Sequence, residues 1–247
     1  MNGLTAADFA DTGQWRLTVE ISKEGIGAWL ENLLRTDIER QLLFESKWKE
    51  NDEALLSNIE NAVYDHPRVL DDFSAKIILF DRNTLFIPTD LAERGEINEE
   101  ECYSDVFNVD PENVITEQDK DLIACFSLIN GLKSFLLRTF PGARITSNLM
   151  DKVKRYRKEG EYYEINCDVR ENEADFIFLH NTNLISASTH SWSAPSDVIY
   201  LLFNLMEVYN INPQDVKIKV RGLKFVGEEK DFIKSRMREF IEIESEK

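Results

Sequence analysis

The stretch from residue 15 to residue 32, "WRLTVEISKEGIGAWLEN", decides the architecture. Trp15, Leu17, Val19 and Ile21 alternate with Arg16, Thr18 and Glu20, which is the period of a strand with one face buried. "SKEG" turns the chain, "IGAWLEN" runs back, and after "RTD" comes a third run, "IERQLLFES", from Ile38 to Ser46. Three runs joined this closely predict an antiparallel meander.

Downstream the period lengthens. From Asn51, the residues Leu55, Leu56, Ile59, Ala62 and Val63 fall on one helical stripe, with Asn51 or Asp52 placed to cap its start. "AKIILF" (Ala75 to Phe80) and "TLFIP", closed by Pro88, predict two strands, and a helix is expected from about Asn98 to Phe107. "DLIACFSLI" (Asp121 to Ile129) has the unbroken apolar character of a strand buried on both faces. "NGLKSFLLRTF" predicts a helix stopped by Pro141 and Gly142, and "ARITS" a further short strand.

The second half repeats the order. "SNLMDKVKRYRK" predicts a connecting helix, and "EYYEINCDVR", "ADFIFLH" and "LISASTHSW" three strands joined by turns at "ENE" and "NTN". An amphipathic helix is expected from Ser193, as its cap, to about Asn210, with Pro195 in its first turn. "DVKIKVRGL" is then a strand and "EEKDFIKSRMREFIEIE" a closing helix. A meander whose helix crosses over to a further strand is the plan of a ribonuclease-H-like layer. The expected fold class is therefore α/β with mixed sheets: two ribonuclease-H-like lobes side by side, the plan of the actin-like ATPases. The first lobe is expected over 1–147, including a polar arm at 1–14, and the second over 148–247. The repeat is one of pattern only, since no residue-level repeat is visible.

Composition narrows the function. In 247 residues, 43% are hydrophobic and 11% aromatic, enough for a substantial core. The longest apolar stretches, Leu122 to Ile129 and Val198 to Met206, are short or broken by polar residues, well under the roughly 20 residues of a membrane span. The N-terminal "MNGLTAADFADTGQW" lacks a basic region followed by an apolar one, so no secretory signal is expected and a cytoplasmic location is. Cys102, Cys125 and Cys167 are far apart with no CxxC spacing, the usage of reduced thiols rather than of disulfides or structural zinc. The 29 basic and 46 acidic residues give a net charge of −17, the wrong sign for holding a nucleic-acid backbone. Twelve of those acidic residues lie between Asp90 and Asp121 against only Arg94 and Lys120. This is read as a solvated loop-and-helix face, or as a docking patch for a basic partner.

Several pieces resemble a bacterial family of unknown function, chiefly from Bacteroidetes (DUF3822-like), that has an actin-like ATPase fold. They are "LTVEISKEGIGAWL", "TLFIPTDL", "RTFPGA", and "LISASTHSWSAPSDVIYLLFNL" followed by "VKIKVRGL", together spanning most of the chain from Trp15 to Leu223. None is a catalytic signature. The resemblance implies the fold and leaves the activity open.

What the fold implies can be tested on residues. Its ATPases hold nucleotide phosphates with two strand-turn-strand loops, each typically an acidic residue, any residue, then glycine, and with a late glycine-rich adenosine turn. Backbone N–H groups do the holding, and glycine lets them approach. The positions that answer to this pattern are Glu20, Ser22 and Gly25 in the first lobe, Asp168 in the second, and Gly222 at the adenosine turn. The match is partial. Glu24 points a second negative charge at the first loop, and "NCDVRENEADF" offers no glycine but adds Glu171, Glu173 and Asp175. Gly25 is also explained by its hairpin turn alone.

Other chemistry has little support. No G-x-S-x-G, Walker-type or G-x-G-x-x-G motif occurs. His180, His190 and Cys167 could form a metal site only if their strands brought them together, and ordinary surface or half-buried histidines are the simpler reading. No catalytic residue, metal or cofactor is therefore expected. The sequence reads as a pseudo-ATPase acting through a protein partner, with no nucleic acid and no membrane, and with self-association open. The alternative is a divergent ATPase or small-molecule kinase binding ATP and Mg²⁺ between the lobes, with Glu20, Asp168 and Asp197 as its carboxylates.

Overall fold

The computed structural model describes residues 11–35, 39–48, 54–157, 162–222 and 241–244. The chain divides into two compact units, Met1–Asn148 and Leu149–Lys247.

In the first unit the predicted meander is formed by β1 (Trp15–Ile21), β2 (Gly25–Asn32) and β3 (Gln41–Lys47), each antiparallel to the next. Helix α1 (Leu55–Asp65) then crosses to β4 (Ala75–Phe80), which lies parallel to β1 with Val19 opposite Ile78. The chain next makes a small module from β5 (Thr84–Pro88), α2 (Thr89–Glu93), α3 (Glu99–Phe107), β6 (Val114–Asp119) and β7 (Leu122–Ser127), before α4 (Leu132–Thr139) leads to β8 (Arg144–Ser147). Because β8 pairs in parallel with β4, the main sheet has the order β3-β2-β1-β4-β8.

Alternation in β1 turns Leu17, Val19 and Ile21 into one core with Leu55, Ile59 and Val63 of α1 and Leu132, Phe135 and Leu136 of α4. The module has its own sheet, β5-β7-β6, and its own core of Ile87, Tyr103, Val114, Ile123 and Cys125. Strand β7 serves two cores, Phe126 joining the first and Ile123 and Cys125 the module's own, which is why its residues are buried on both faces. The acidic stretch is more ordered than the loop-and-helix reading predicts, since it contains β6 as an edge of this sheet. Asn98 caps α3 by accepting from the Glu101 N–H at 3.0 Å. Glu99, Glu100 and Glu101 occupy the first turn, where the partial positive charge of the helix end favours them.

The second unit repeats the plan. After α5 (Asn148–Tyr156) come β9 (Tyr163–Val169), β10 (Glu173–His180) and β11 (Asn183–Ser191), then α6 (Pro195–Val208), β12 (Val216–Arg221) and β13 (Ile241–Glu244). Its sheet runs β11-β10-β9-β12-β13, the same order as the first. Strands β12 and β13 are again added in parallel. Ile165, Cys167, Phe176 and Phe178 form the core with Val198, Leu202 and Met206 of α6, three residues spaced one helical turn apart.

Two expectations need correction, and others lie outside the described residues. "IEIE", read as the end of a closing helix, is strand β13; the rest of that helix lies outside the described residues, as do the Asn51 and Asp52 caps and residues 1–10 of the arm. Helix α6 starts at Pro195, and Ser193 is not its side-chain cap. Instead the Asp197 carboxylate reaches back to accept from the Ser193 and Ala194 N–H groups, both at 2.9 Å. No helix among the described residues is long and apolar enough to cross a membrane.

Candidate functional site

Glu20, Ser22 and Gly25 lie together on the β1–β2 hairpin. Ser22 closes that turn on itself: its N–H donates to the Gly25 carbonyl at 2.9 Å. Its Oγ accepts from the N–H groups of Glu24 at 3.2 Å and Gly25 at 3.1 Å. These are the backbone donors a phosphate would need. The turn is tied down from the far side of the meander by Trp48, which directly follows β3. The Trp48 N–H donates to the Glu24 carbonyl at 2.9 Å, and its indole Nε1–H donates to the Lys23 carbonyl at 3.0 Å.

The two glycines of this hairpin have packing reasons to be glycine. A Cβ on Gly25 would stand 2.6 Å from the Ser46 carbonyl oxygen of β3, and one on Gly27 would stand 2.1 Å from the Trp29 indole. The Arg40 guanidinium lies 4.1 Å from the centre of the Trp29 ring and ion-pairs with Glu20 at 2.6 Å. Glu20 thus already has a cation on it, from its own chain.

In the second unit, register decides what Asp168 meets. It stands opposite Asp175 on β10 and Arg221 on β12, with the side chains of α5 against the same face. The Lys152 Nζ of α5 is 2.5 Å from Asp175 Oδ2 and 3.5 Å from Asp168 Oδ2. The Tyr156 hydroxyl is 2.8 Å from each Asp168 oxygen. Arg221 pairs with Asp168 at 3.5 Å and lies over the Tyr156 ring. Asp175 also accepts from Arg170 at 3.0 Å and from the Thr189 hydroxyl at 2.6 Å. The row continues inward, where Asn166 donates to Glu164 at 2.6 Å and accepts from Arg221 at 3.1 Å, and Lys219 pairs with Glu164 at 3.2 Å.

This network is buried at its centre, where Asn166 is 0% exposed and Asp175 1%, and reaches solvent at Arg170 and Glu173. Buried charges are tolerated only when paired and hydrogen-bonded. Here Glu164, Asp168, Glu173 and Asp175 are matched by Lys152, Arg170, Lys219 and Arg221. Burial alone would raise the Asp175 carboxyl. The charges of Lys152 and Arg170, with the bonds from Lys152 and Thr189, outweigh it and hold Asp175 below the usual carboxylate range. Burial, and then the Asp168 charge beside it, pushes the Tyr156 phenol up, so it stays a proton donor to Asp168.

The β9–β10 turn is closed as the first one is. The Arg170 N–H donates to the Glu173 carbonyl at 2.8 Å and the Trp192 N–H to the Asn172 carbonyl at 3.1 Å. The Trp192 indole donates to the Arg170 carbonyl at 3.0 Å. Gly222, one residue past β12, stands beside the end of β9. Its φ is +77°, and a Cβ there would be 2.1 Å from the Val169 carbonyl oxygen, so close backbone approach accounts for the glycine.

The considered histidine and cysteine trio does not assemble. His180 pairs with Asn183 at one end of the β10–β11 hairpin, while His190 pairs with Ala174 near the other. His180 stacks on Tyr163, and His190 meets Phe176 edge-on. Cys167 is buried, and that burial, followed by the Asp168 and Asp175 charges, raises its thiol. Among the described residues no group of three or more His, Cys, Asp or Glu is placed to hold a metal ion. A concavity of about 290 Å³ in the module is lined by Asn98, Glu99, Glu100, Thr116, Gln118 and Ile123, and its charged lining is wholly acidic.

Sequence reading missed Lys152, Tyr156 and Arg221, and took Asp175 for a free charge of the second loop, whereas it lies on β10 paired with Lys152 and Arg170. The signal was present in Glu164, Asn166 and Asp168 alternating with apolar residues on one strand while Lys217, Lys219 and Arg221 do the same on another. Two polar strand faces of opposite charge should meet. The tryptophan latches also had a signal, since "ESKW" and "THSW" both end a third strand.

Two five-stranded mixed sheets of identical order, each with its crossover helix, define an actin-like ATPase fold. Residues 6–243 match the family described as Protein of unknown function (DUF3822), and the chain belongs to that family. Among solved structures it is similar to a protein of Bacteroides thetaiotaomicron with actin-like ATPase fold and unknown function. The TM-score is 0.74 at 18% identity, covering 98% of this chain and 94% of that one. It is also similar to the PilM-PilN type IV pilus biogenesis complex, with a TM-score of 0.52 at 9% identity, covering 92% and 87%. Curated proteins give no sequence match.

Proposed function

We propose that this chain is a non-catalytic protein of the actin-like fold, a pseudo-ATPase that acts in the cytoplasm by binding another protein. The observation that carries the reading is the Lys152 ammonium held by Asp175 and Asp168 at 2.5 and 3.5 Å. A carboxylate that holds Mg²⁺ for a nucleotide needs its charge unspent, and here an internal cation, Arg221 and the Tyr156 hydroxyl share Asp168. The self-closed turns at Ser22 and Arg170 support the same reading, because a phosphate nest works through open N–H donors.

For the binding role, support comes from charge. A net −17, concentrated between Asp90 and Asp121, steers a basic-faced protein toward the chain and repels nucleic acid. A similar fold forms part of the PilM-PilN type IV pilus biogenesis complex, in keeping with use of the fold in assembly.

The test is the thermal unfolding midpoint of the full chain with and without millimolar ATP and Mg²⁺. A ligand at one hundred times its dissociation constant stabilises by about 2.7 kcal/mol. The expected result is no shift, and a Mg²⁺-dependent rise overturns the proposal in favour of a divergent ATPase or kinase.

A further inference from the structure

A sheet edge is a row of backbone donors and acceptors ready to pair with another strand, and proteins blunt such edges with charge, proline, bulges or short length. Among the described residues the three sheets have six edge strands, and five are blunted. Strand β3 carries exposed Glu45 and Lys47 and a register shift against β2. Strands β8 and β13 have only four residues each. Strand β5 ends in Pro88, and β6 carries Glu117 and Asp119.

Strand β11 differs. Its nine residues, "NLISASTHS", contain no charge and no proline. The one irregularity lies near its start, opposite Phe178 and Leu179, and leaves Ser186–Ser191 in unbroken register with β10. These six residues are small or β-branched apart from His190, so they form an uncharged edge without bulky side chains.

We propose that β11 is the interface for a second copy of this chain, paired edge to edge and antiparallel about a two-fold axis at Ser188. Antiparallel pairing of a strand with itself is the simplest isologous contact, and residues opposite one another must share the same orientation toward the ladder. Centring on Ser188 meets that condition. Ala187 then faces Thr189 of the partner subunit, and Ser186 faces His190 of the partner subunit. No like charges oppose each other, although the chain as a whole carries −17, and like charges directly opposite are what penalise such pairs. A basic foreign strand finds no carboxylate on this edge, so charge matching selects an uncharged strand, and β11 is one.

The experiment is sedimentation equilibrium of the full chain from micromolar to millimolar concentration. A concentration-dependent rise toward twice the monomer mass is expected. S188K and S188E each place like charges on the axis and weaken association by about tenfold or more, whereas an equimolar mixture of the two restores it. Because Ser188 is half-buried, H190K on the exposed end of the strand serves as a second variant: it sets no like charges opposite each other, but a lysine on a sheet edge blunts strand pairing, so it too is expected to weaken association while keeping the thermal midpoint. A wild-type chain that stays monomeric throughout, or a dimer untouched by S188K and H190K, overturns the inference. Neither result bears on the ATP test.

Discussion

Trp48 and Trp192 hold equivalent places in the two units. Each directly follows the third strand of a meander, and each donates its indole N–H at 3.0 Å to a carbonyl in the turn between the first two strands, that of Lys23 or Arg170. Each also donates its backbone N–H to a second carbonyl of the same turn. The third strand therefore pins the tip of the first hairpin. In the first unit the pinned turn is the one whose Glu24 and Gly25 N–H groups already donate to Ser22.

Trp48→Phe and Trp192→Phe keep most of the ring and remove the indole bond. Each is expected to destabilise by about 1 kcal/mol, the net worth of a neutral hydrogen bond, read from urea denaturation. Amide hydrogen exchange at Glu24 and Gly25 should speed up in Trp48→Phe and stay unchanged in Trp192→Phe. Equal exchange in both variants and the parent would show that the latch does not hold the turn.

Gly222→Ala separates a packing glycine from a ligand glycine. At φ +77° with the Val169 carbonyl oxygen 2.1 Å from an added Cβ, strain alone costs about 1–3 kcal/mol, and the clash adds to it. The expected result is a large loss of thermal stability, the same with or without ATP. A variant as stable as the parent would contradict the close approach of β9 and β12.

Both meanders were legible because alternation is a strong signal where one face of a sheet is buried and the other polar, as in Trp15–Ile21. The joint plan followed from the order of elements, without any residue-level repeat. Strand β6 was missed because Glu117 and Asp119 belong to an edge, whose side chains resemble those of a loop. "IEIE" was missed because four residues after a helical pattern are too few to establish a period of two. The network around Asp168 stayed hidden for a different reason: a polar strand face reads as solvent-facing, and only α5 laid across it shows that it is buried. Likewise the separation of His180 from His190 is a matter of register. Two residues ten apart can meet or miss across a hairpin according to where the turn falls.

The cysteines provide a probe of the module. Cys125 is fully buried, and burial, then the charge of Glu99, pushes its thiol up to about 12; Cys167 is raised by burial as well. Only Cys102 is half-exposed. Since the thiolate is the reactive form, a disulfide reagent at mildly alkaline pH should modify Cys102 rapidly and the other two only after denaturation, as read by mass spectrometry. Rapid modification of Cys125 would mean that the β5-β7-β6 sheet opens in the native state.

The most consequential variant is Lys152→Met. It removes the ammonium between Asp168 and Asp175 while leaving both carboxylates in place, and an uncompensated buried charge costs about 3–5 kcal/mol. Arg170 and Thr189 still serve Asp175, so the lower end of that range is expected. Adding Asp175→Asn should recover part of the loss, because the two changes share one interaction. Acid titration gives an independent reading. The folded Asp175 carboxyl lies below its ordinary value, so near and below that value the native state binds fewer protons than the unfolded chain, and stability rises with pH. The contribution is fully present above the unfolded value of about 3.9 and disappears as pH falls through the folded one. Asp175→Asn should therefore flatten the dependence of unfolding free energy on pH below about 4. If the parent and Asp175→Asn have the same slope there, Lys152 is not holding Asp175 ionised, and the case for an internal cation in place of Mg²⁺ loses its footing.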